Sequence, residues 1–235
     1  MSEAREAGVV RLKPGIFNTR RHYLIQLRKQ IEKVLEQFVK PMKDQVQIAD
    51  YGCGNMPYEP LVAPYTERYI GIDLSENPRA EIHIDPEGRI AMPDNQVDFV
   101  LSTQVLEHVE NPIFYLEEAL RILKPGGKLI ISTHGYWMFH PDPTDYWRWT
   151  STGLKKIITE RGFEIKYFRG IIGRAATGLQ LFQDGFLFKV PGAMRGLLAI
   201  IFQPLIFFFD KTTSQSSKDK DAGTFVIVAE KKTTS

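Results

Sequence analysis

Between residues 20 and 39 the apolar positions Tyr23, Leu24, Leu27, Ile31, Val34, Leu35 and Phe38 return every three or four residues, which predicts an amphipathic helix ended by Pro41. The pattern then changes to short apolar runs. Residues 46–51 form the first, running straight into the turn residues Gly52, Gly54 and Asn55, and further runs at 68–72, 80–84, 97–102 and 128–133 predict four more strands. A helix over 112–123 is stopped by Lys124-Pro125-Gly126-Gly127. Strands alternating with helices build a parallel sheet covered on both faces, so an α/β fold is expected.

After the fifth strand the rhythm shifts. A Trp- and Tyr-rich segment (136–150) leads into a helix at 153–161, a sixth strand at 163–169 and, after a long interval, a last strand at 224–229. The interval holds a strongly apolar stretch, 185–209, and then a polar run, 211–223, whose Ser, Thr, Lys and Asp content predicts a flexible loop. Residues 196–209 carry no charge but are interrupted by Pro204. A bilayer crossing needs about twenty residues, so a full span is not expected. An interfacial helix or hairpin, a buried helix or dimer surface, and a lid over a lipid-like ligand all remain open.

The chain has 235 residues, enough for one α/β domain with insertions and too few for two. Its 30 Lys+Arg balance 28 Asp+Glu, so no strong field gathers a polyanion and no nucleic-acid partner is expected. The single cysteine, Cys53, can make neither an internal disulfide nor a Cys cluster and reads as a small residue tucked under the loop. A reducing compartment follows. The N-terminus lacks the apolar run of a secretory signal, so a cytoplasmic location is expected.

The chemistry centres on Asp50-Tyr51-Gly52-Cys53-Gly54-Asn55, where two glycines let the backbone turn tightly and approach a ligand. A dinucleotide site wants a third glycine where this chain has Pro57, which argues against an oxidoreductase. Asp73, at the end of the second strand, can accept both hydroxyls of a ribose.

In order and spacing these parts resemble the class I S-adenosylmethionine-dependent methyltransferases, in particular the group of ubiquinone and sugar methyltransferases. The likeness runs from Ile48 to His134. It includes Val97-Asp98-Phe99-Val100-Leu101-Ser102, Val105-Leu106-Glu107-His108-Val109 and Arg121-Ile122-Leu123-Lys124-Pro125-Gly126-Gly127-Lys128-Leu129. The resemblance implies a doubly wound, Rossmann-like sheet of seven strands, mostly parallel, with an antiparallel last strand. It implies S-adenosyl-L-methionine as cofactor, with Asp50, Gly52 and Gly54 at its methionine end and Asp73, with Leu74, at the ribose. Asp85 would lie near adenine and Ser102 at the end of the fourth strand, although Pro86-Glu87-Gly88 departs from the family pattern. One domain over 1–235 is expected: N-terminal helix 20–39, cofactor core 46–134, acceptor-side segment 135–170, apolar insertion 185–223 and last strand 224–230.

In that fold the aromatic segment covers the acceptor. The donor's sulfonium is already electrophilic, so the protein has to align the acceptor, exclude water and remove a proton. His140 and His134 are candidate bases, with Asp145 beside them. His140-Pro141-Asp142-Pro143-Thr144-Asp145-Tyr146-Trp147-Arg148-Trp149-Thr150 is similar to stretches in bacterial methyltransferases associated with surface polysaccharide or glycolipid synthesis. Some methyltransferases bind a divalent metal, used to activate a hydroxyl, through a Glu followed three residues later by Glu-His, together with distant histidines. Here the first position is Gln104, so no metal is expected. The expected function is methylation, O-methylation first, of a small molecule or glycan, including a lipid-linked one, by an enzyme in the cytoplasm or peripheral at the inner face of a membrane. A non-catalytic, membrane-associated scaffold is the alternative, and the intact Asp50, Gly52, Gly54 and Asp73 speak against it.

Overall fold

In the computed structural model, residues 10–42, 46–187 and 189–233 are described. Seven strands form one sheet: β1 (Gln47–Tyr51), β2 (Arg68–Leu74), β3 (Ile82–Ile84), β4 (Val97–Thr103), β5 (Leu123–His134), β6 (Phe163–Gly173) and β7 (Ala222–Lys231), in the order β3-β2-β1-β4-β5-β7-β6. The pairings from β3 through β5 are parallel, and β7 runs antiparallel to both β5 and β6. The mostly parallel sheet with a reversed last strand is therefore present as expected.

The central strands are apolar on both faces because helices cover both. On one face Tyr51, Val100, Ile131 and Phe225 pack with Leu116 and Ala119 of α3 (Pro112–Ile122) and Leu154 and Ile158 of α4 (Ser151–Glu160). On the other, Ile48, Phe99, Ile130 and Val226 pack beneath Leu27, Ile31 and Val34 of α1 (Arg21–Val34). The expected N-terminal helix does not stop at Pro41. It loosens into a π turn over Leu35–Val39 and tightens into a 3-10 turn over Lys40–Met42, which tolerates the proline. A one-turn helix, α2 (Glu59–Val62), follows β1. Asn111 caps α3 by accepting from Phe114 N–H, and Thr150 caps α4 by accepting from Gly153 N–H. Residues 136–150 contain no helix or strand.

Two expectations fail beyond β6. Pro204 does not interrupt the apolar stretch: α6 (Gly192–Thr212) runs through it for 21 residues, after α5 (Arg174–Leu187). At 1.5 Å per residue α6 is about 31 Å long. By length and composition alone it could cross a membrane. Ala199, Gln203, Ile206 and Asp210, at spacings of four, three and four, are its buried face, and packing of that face holds both halves of the helix in line. The polar run 211–223 is not a loop either. It contains α7 (Gln215–Lys220), capped by Ser214 and fixed to β6, where Asp219 accepts Gly170 N–H at 2.9 Å and pairs with Arg169 at 3.0 Å. Polar composition predicts exposure, but here the polar groups serve the backbone of an edge strand.

Candidate active site

β1 ends at Tyr51 and the chain reverses at once, with Gly52 and Cys53 N–H groups both donating to Ile72 O at 2.8 and 3.1 Å. The reversal requires left-handed backbone at Gly52 (φ 79) and Gly54 (φ 49). A methyl group on Gly52 would lie 2.6 Å from both Cγ atoms of Val105, so the turn rests directly on the segment that follows β4. Over Gly54 nothing lies within 4 Å of a built Cβ. Asp73 closes the turn: Oδ2 accepts from Gly54 N–H at 2.8 Å and from the Asn77 amide at 2.7 Å, and Oδ1 accepts from Leu74 N–H at 2.9 Å.

Beneath the turn Asp50 is buried, with Oδ2 taking the Tyr69 hydroxyl and Oδ1 without a hydrogen-bond partner. Burial pushes its carboxyl up to about 7, against the Tyr69 hydrogen bond and the nearby Arg11 cation. Arg11, on the segment ahead of α1, lies among Tyr58, Tyr23 and Asp142; burial opposes its charge, but these neighbours raise its pKa above the ordinary value. Cys53 is buried, and burial with Asp50 and Asp73 alongside pushes its thiol up to about 12. It is a packing residue.

Asp50, Gly52, Gly54 and Asp73 thus converge, with Leu74 exposed just beyond. Asp85 follows β3 and closes its own turn, accepting Arg89 N–H at 2.7 Å while its N–H donates to Arg89 O at 2.9 Å. Ser102 stands at the end of β4. Its hydroxyl is fully buried 2.8 Å from Tyr115 Oη, on the α3 side of the sheet, and Tyr115 in turn donates to Tyr51 O at 3.0 Å, just ahead of the turn.

A second group of side chains stands one strand over, at the carboxyl ends of β4 and β5. Gln104 has left-handed backbone (φ 58), and its side chain accepts the Tyr23 hydroxyl at 2.7 Å and donates to Ser132 Oγ at 2.9 Å. The one-turn 3-10 helix Leu106–His108 buries Glu107, whose Oε2 accepts the Thr133 hydroxyl at 2.8 Å. Glu107 Oε1 has no hydrogen-bond partner and faces His134 Nε2 at 3.4 Å. His134, the last residue of β5, is fixed by Thr224 Oγ1 at 3.0 Å from Nδ1 and by stacking on Trp137. His140 donates from Nδ1 to Met138 O at 3.0 Å, and its backbone N–H donates to Asp145 at 2.8 Å. Arg148 holds Asp145 through two 2.6 Å hydrogen bonds.

The candidates His134, His140 and Asp145 are therefore together. Asp145 is a brace, spent on Arg148 and the His140 backbone, and these contacts hold its carboxyl low against its burial. Burial pushes both imidazoles below the ordinary histidine range, His134 furthest, and pushes Glu107 up to about 7. The aromatic segment hangs from the same groups: Tyr146 and Trp147 N–H donate to Glu107 O, and Trp149 N–H donates to His134 O. Arg11 is the residue that sequence reasoning left out, and Glu107, read there only beside His108, stands with His134 instead.

A family model described as a methyltransferase domain matches residues 21–166, more than half of the chain. The chain belongs to that family. S-adenosylmethionine is the cofactor in the names of its relatives. A protein of Mycolicibacterium smegmatis named as a probable S-adenosylmethionine-dependent methyltransferase is 27% identical over 139 residues, 53% of this chain and 54% of that one. A ubiquinone biosynthesis O-methyltransferase of Roseobacter denitrificans is 33% identical over 101 residues, 37% of this chain and 41% of that one. The matches thus span about half or less of these relatives' length. Among solved structures, a Haemonchus contortus phosphoethanolamine N-methyltransferase 2, bound to phosphomonomethylethanolamine and S-adenosylhomocysteine, superposes with a TM-score of 0.56 at 17% identity, covering 99% of this chain and 61% of that one. The [4+2]-cyclase SpnF gives 0.58 at 19% identity, covering 89% and 82%. These two likenesses show the fold, and the names they carry show that the fold does not set the reaction.

Proposed function

We propose that the chain transfers a methyl group from S-adenosylmethionine to a hydroxyl of a lipid-linked small molecule or glycan at the cytoplasmic face of a membrane. The observation that carries this reading is the contact of Gly52 with Val105, which puts the cofactor turn against the segment bearing Glu107. The turn fits the cofactor. Open space over Gly54 admits it, Asp73 retains acceptor capacity for ribose hydroxyls, and the unpaired Oδ1 of Asp50 is a counter-charge for an ammonium group. Arg11, whose charge acts on Asp50 and Tyr58, receives the carboxylate of the same end. Asp85 and Leu74 border the adenine side.

The cofactor supplies an electrophilic methyl. The acceptor oxygen forms the new bond while the S–C electron pair stays on sulfur, and the hydroxyl proton leaves at the wall formed by Glu107, His134 and His140. Asp145 and Arg148 keep His140 on that wall. The acceptor's approach is suggested by α1, whose start connects wall and hairpin. Thr19 O accepts amides from Gln180, Gln183 and Gln203 of α5 and α6, while Tyr23 packs at a tilt against Trp137 and Arg20 reaches Met138. The start of α1 therefore ties the α5–α6 hairpin to the segment that bears His140.

Calorimetric titration with S-adenosylmethionine and with NAD tests the first half. Asp73→Ala should cost about 2–3 kcal/mol of cofactor affinity, roughly 30- to 150-fold, for two hydrogen bonds to a charged group. Tight NAD binding without S-adenosylmethionine binding sinks the reading. For the second half, the chain is incubated with methyl-labelled cofactor and a bacterial lipid extract. Base-stable label in the organic phase is expected, and label confined to water-soluble products removes the lipid-linked acceptor.

A further inference from the structure

The geometry points to a divalent-cation site of the zinc class, held by Glu107, His134 and His140 with one position open to the acceptor oxygen. Each residue offers one ligand atom, and these lie within 4.8 Å of one another. A tetrahedral site with bonds of about 2.0–2.1 Å has ligand-to-ligand edges of about 3.4 Å. The edge from Glu107 Oε1 to His134 Nε2 is already 3.4 Å. His140 lies in a segment without regular structure, which can supply the remaining closure.

The surroundings are those of ligands rather than of a hydrogen-bonded cluster. His140 donates its Nδ1 proton to Met138 O, which leaves the lone pair on Nε2. Thr224 engages Nδ1 of His134 and leaves its Nε2 toward Glu107. Thr133 occupies only Oε2 of Glu107, so a fully buried carboxylate oxygen is left bare. A buried acceptor of this kind is costly, and 3.4 Å is too long for a hydrogen bond from His134 to relieve it. A cation between them satisfies oxygen and nitrogen together. Two imidazoles and one carboxylate suit zinc and its first-row neighbours, and three protein ligands with a vacant fourth position is the arrangement of catalytic zinc.

The ligands do not come from the linear Glu-x-x-Glu-His pattern that Gln104 interrupts. Gln104 is committed to Tyr23 and Ser132, and His108 Nδ1 faces Thr144 O. Two of the three ligands lie on and beyond β5 instead. The site rests on the proposed methyl transfer only for its purpose: an acceptor hydroxyl bound to the cation ionises more readily, its proton passing to solvent.

The test is metal binding by the full chain without an affinity tag, with neither cofactor nor acceptor present. Metal-free protein is titrated with Co2+ while its visible spectrum is recorded, and zinc is measured in protein purified without chelator. About one equivalent per chain and an intense four-coordinate cobalt band are expected. His140→Ala, whose side chain is partly exposed, and Glu107→Gln should each weaken binding about tenfold or more, while His83→Asn on the far strand β3 should not. S-adenosylmethionine affinity checks that the variants are folded. Failure of the wild-type chain to bind either metal stoichiometrically overturns the site, whether or not the cofactor binds. Equal binding by wild type and His140→Ala, with the cofactor still bound, does the same.

Discussion

Asp50 carries an acid whose ionisation is opposed by burial: its carboxyl sits at about 7 where an exposed one titrates near 3.8. Between those values the folded chain holds a proton that the unfolded chain has lost, so this residue's contribution to stability falls as pH rises through the window. A cation placed at its bare Oδ1 reverses that preference. We therefore expect cofactor binding at pH 6 to release a proton into the buffer, measured by calorimetry in two buffers of different ionisation enthalpy. Asp50→Asn should bind with that release removed. An undiminished release from Asp50→Asn would show that the proton comes from elsewhere. The acid, the two glycines and Asp73 were all legible in the sequence, because a tight turn between consecutive strands needs its residues at fixed spacings. The orientation of Ser102 follows from the alternation of β4, which puts it on the face of Val100, packed toward α3. Glu107 was visible only as half of a sequence pattern, since its partners come from another strand and the loop beyond it.

At the scale of elements, α6 is attached by polar contacts along its buried stripe. Gln203 accepts His22 N–H at 2.8 Å and donates to Thr19 O at 2.6 Å. Asp210 accepts Gly173 N–H at 2.8 Å and pairs with His22 at 2.9 Å and Lys218 at 2.8 Å. Burial alone would raise the Asp210 carboxyl, but the hydrogen bonds from His22, Lys218 and Gly173 outweigh it and hold it at about 2. A depressed acid contributes stability that is fully present above its unfolded value near 4 and is lost as pH falls toward 2. The shift corresponds to about 2 kcal/mol. Asp210→Asn should lower urea stability by roughly that amount at pH 7 and by much less at pH 2.5. An equal loss at both pH values would mean that packing, not charge, explains the effect. None of this attachment was legible, because a helix anchored by Gln, His and Asp to a distant helix start leaves no periodic trace. The proline was legible and misleading: Pro204 removes one backbone donor, and tertiary contacts on both sides of it keep the helix whole.

Over the whole molecule, the family match ends at residue 166, before the α5–α6 hairpin begins. The matched part holds the Gly52–Gly54 turn and the cluster of Glu107, His134 and His140, and the hairpin is what this chain sets beside them. Its free face shows Leu197, Ile200, Ile201, Leu205, Phe207 and Phe208 to the outside, while the opposite face is pinned by Gln203 and Asp210. A helix held along one side cannot turn on end to span a bilayer, but it can lie flat with its other side in the headgroup region, as amphipathic helices do. Lys189 before the helix and Lys211 at its end each stand over a phenylalanine ring of the hairpin, cations at both margins of the apolar face. Ile201→Glu with Phe208→Glu puts two charges in the middle of that face without touching the pinned stripe. The double variant should lose co-sedimentation with vesicles of phosphatidylglycerol and phosphatidylethanolamine while keeping its melting temperature and its affinity for S-adenosylmethionine. Light scattering on both proteins decides against a membrane role if the wild type is a dimer that the two charges split, because the same face would then be covered by a second copy of the chain.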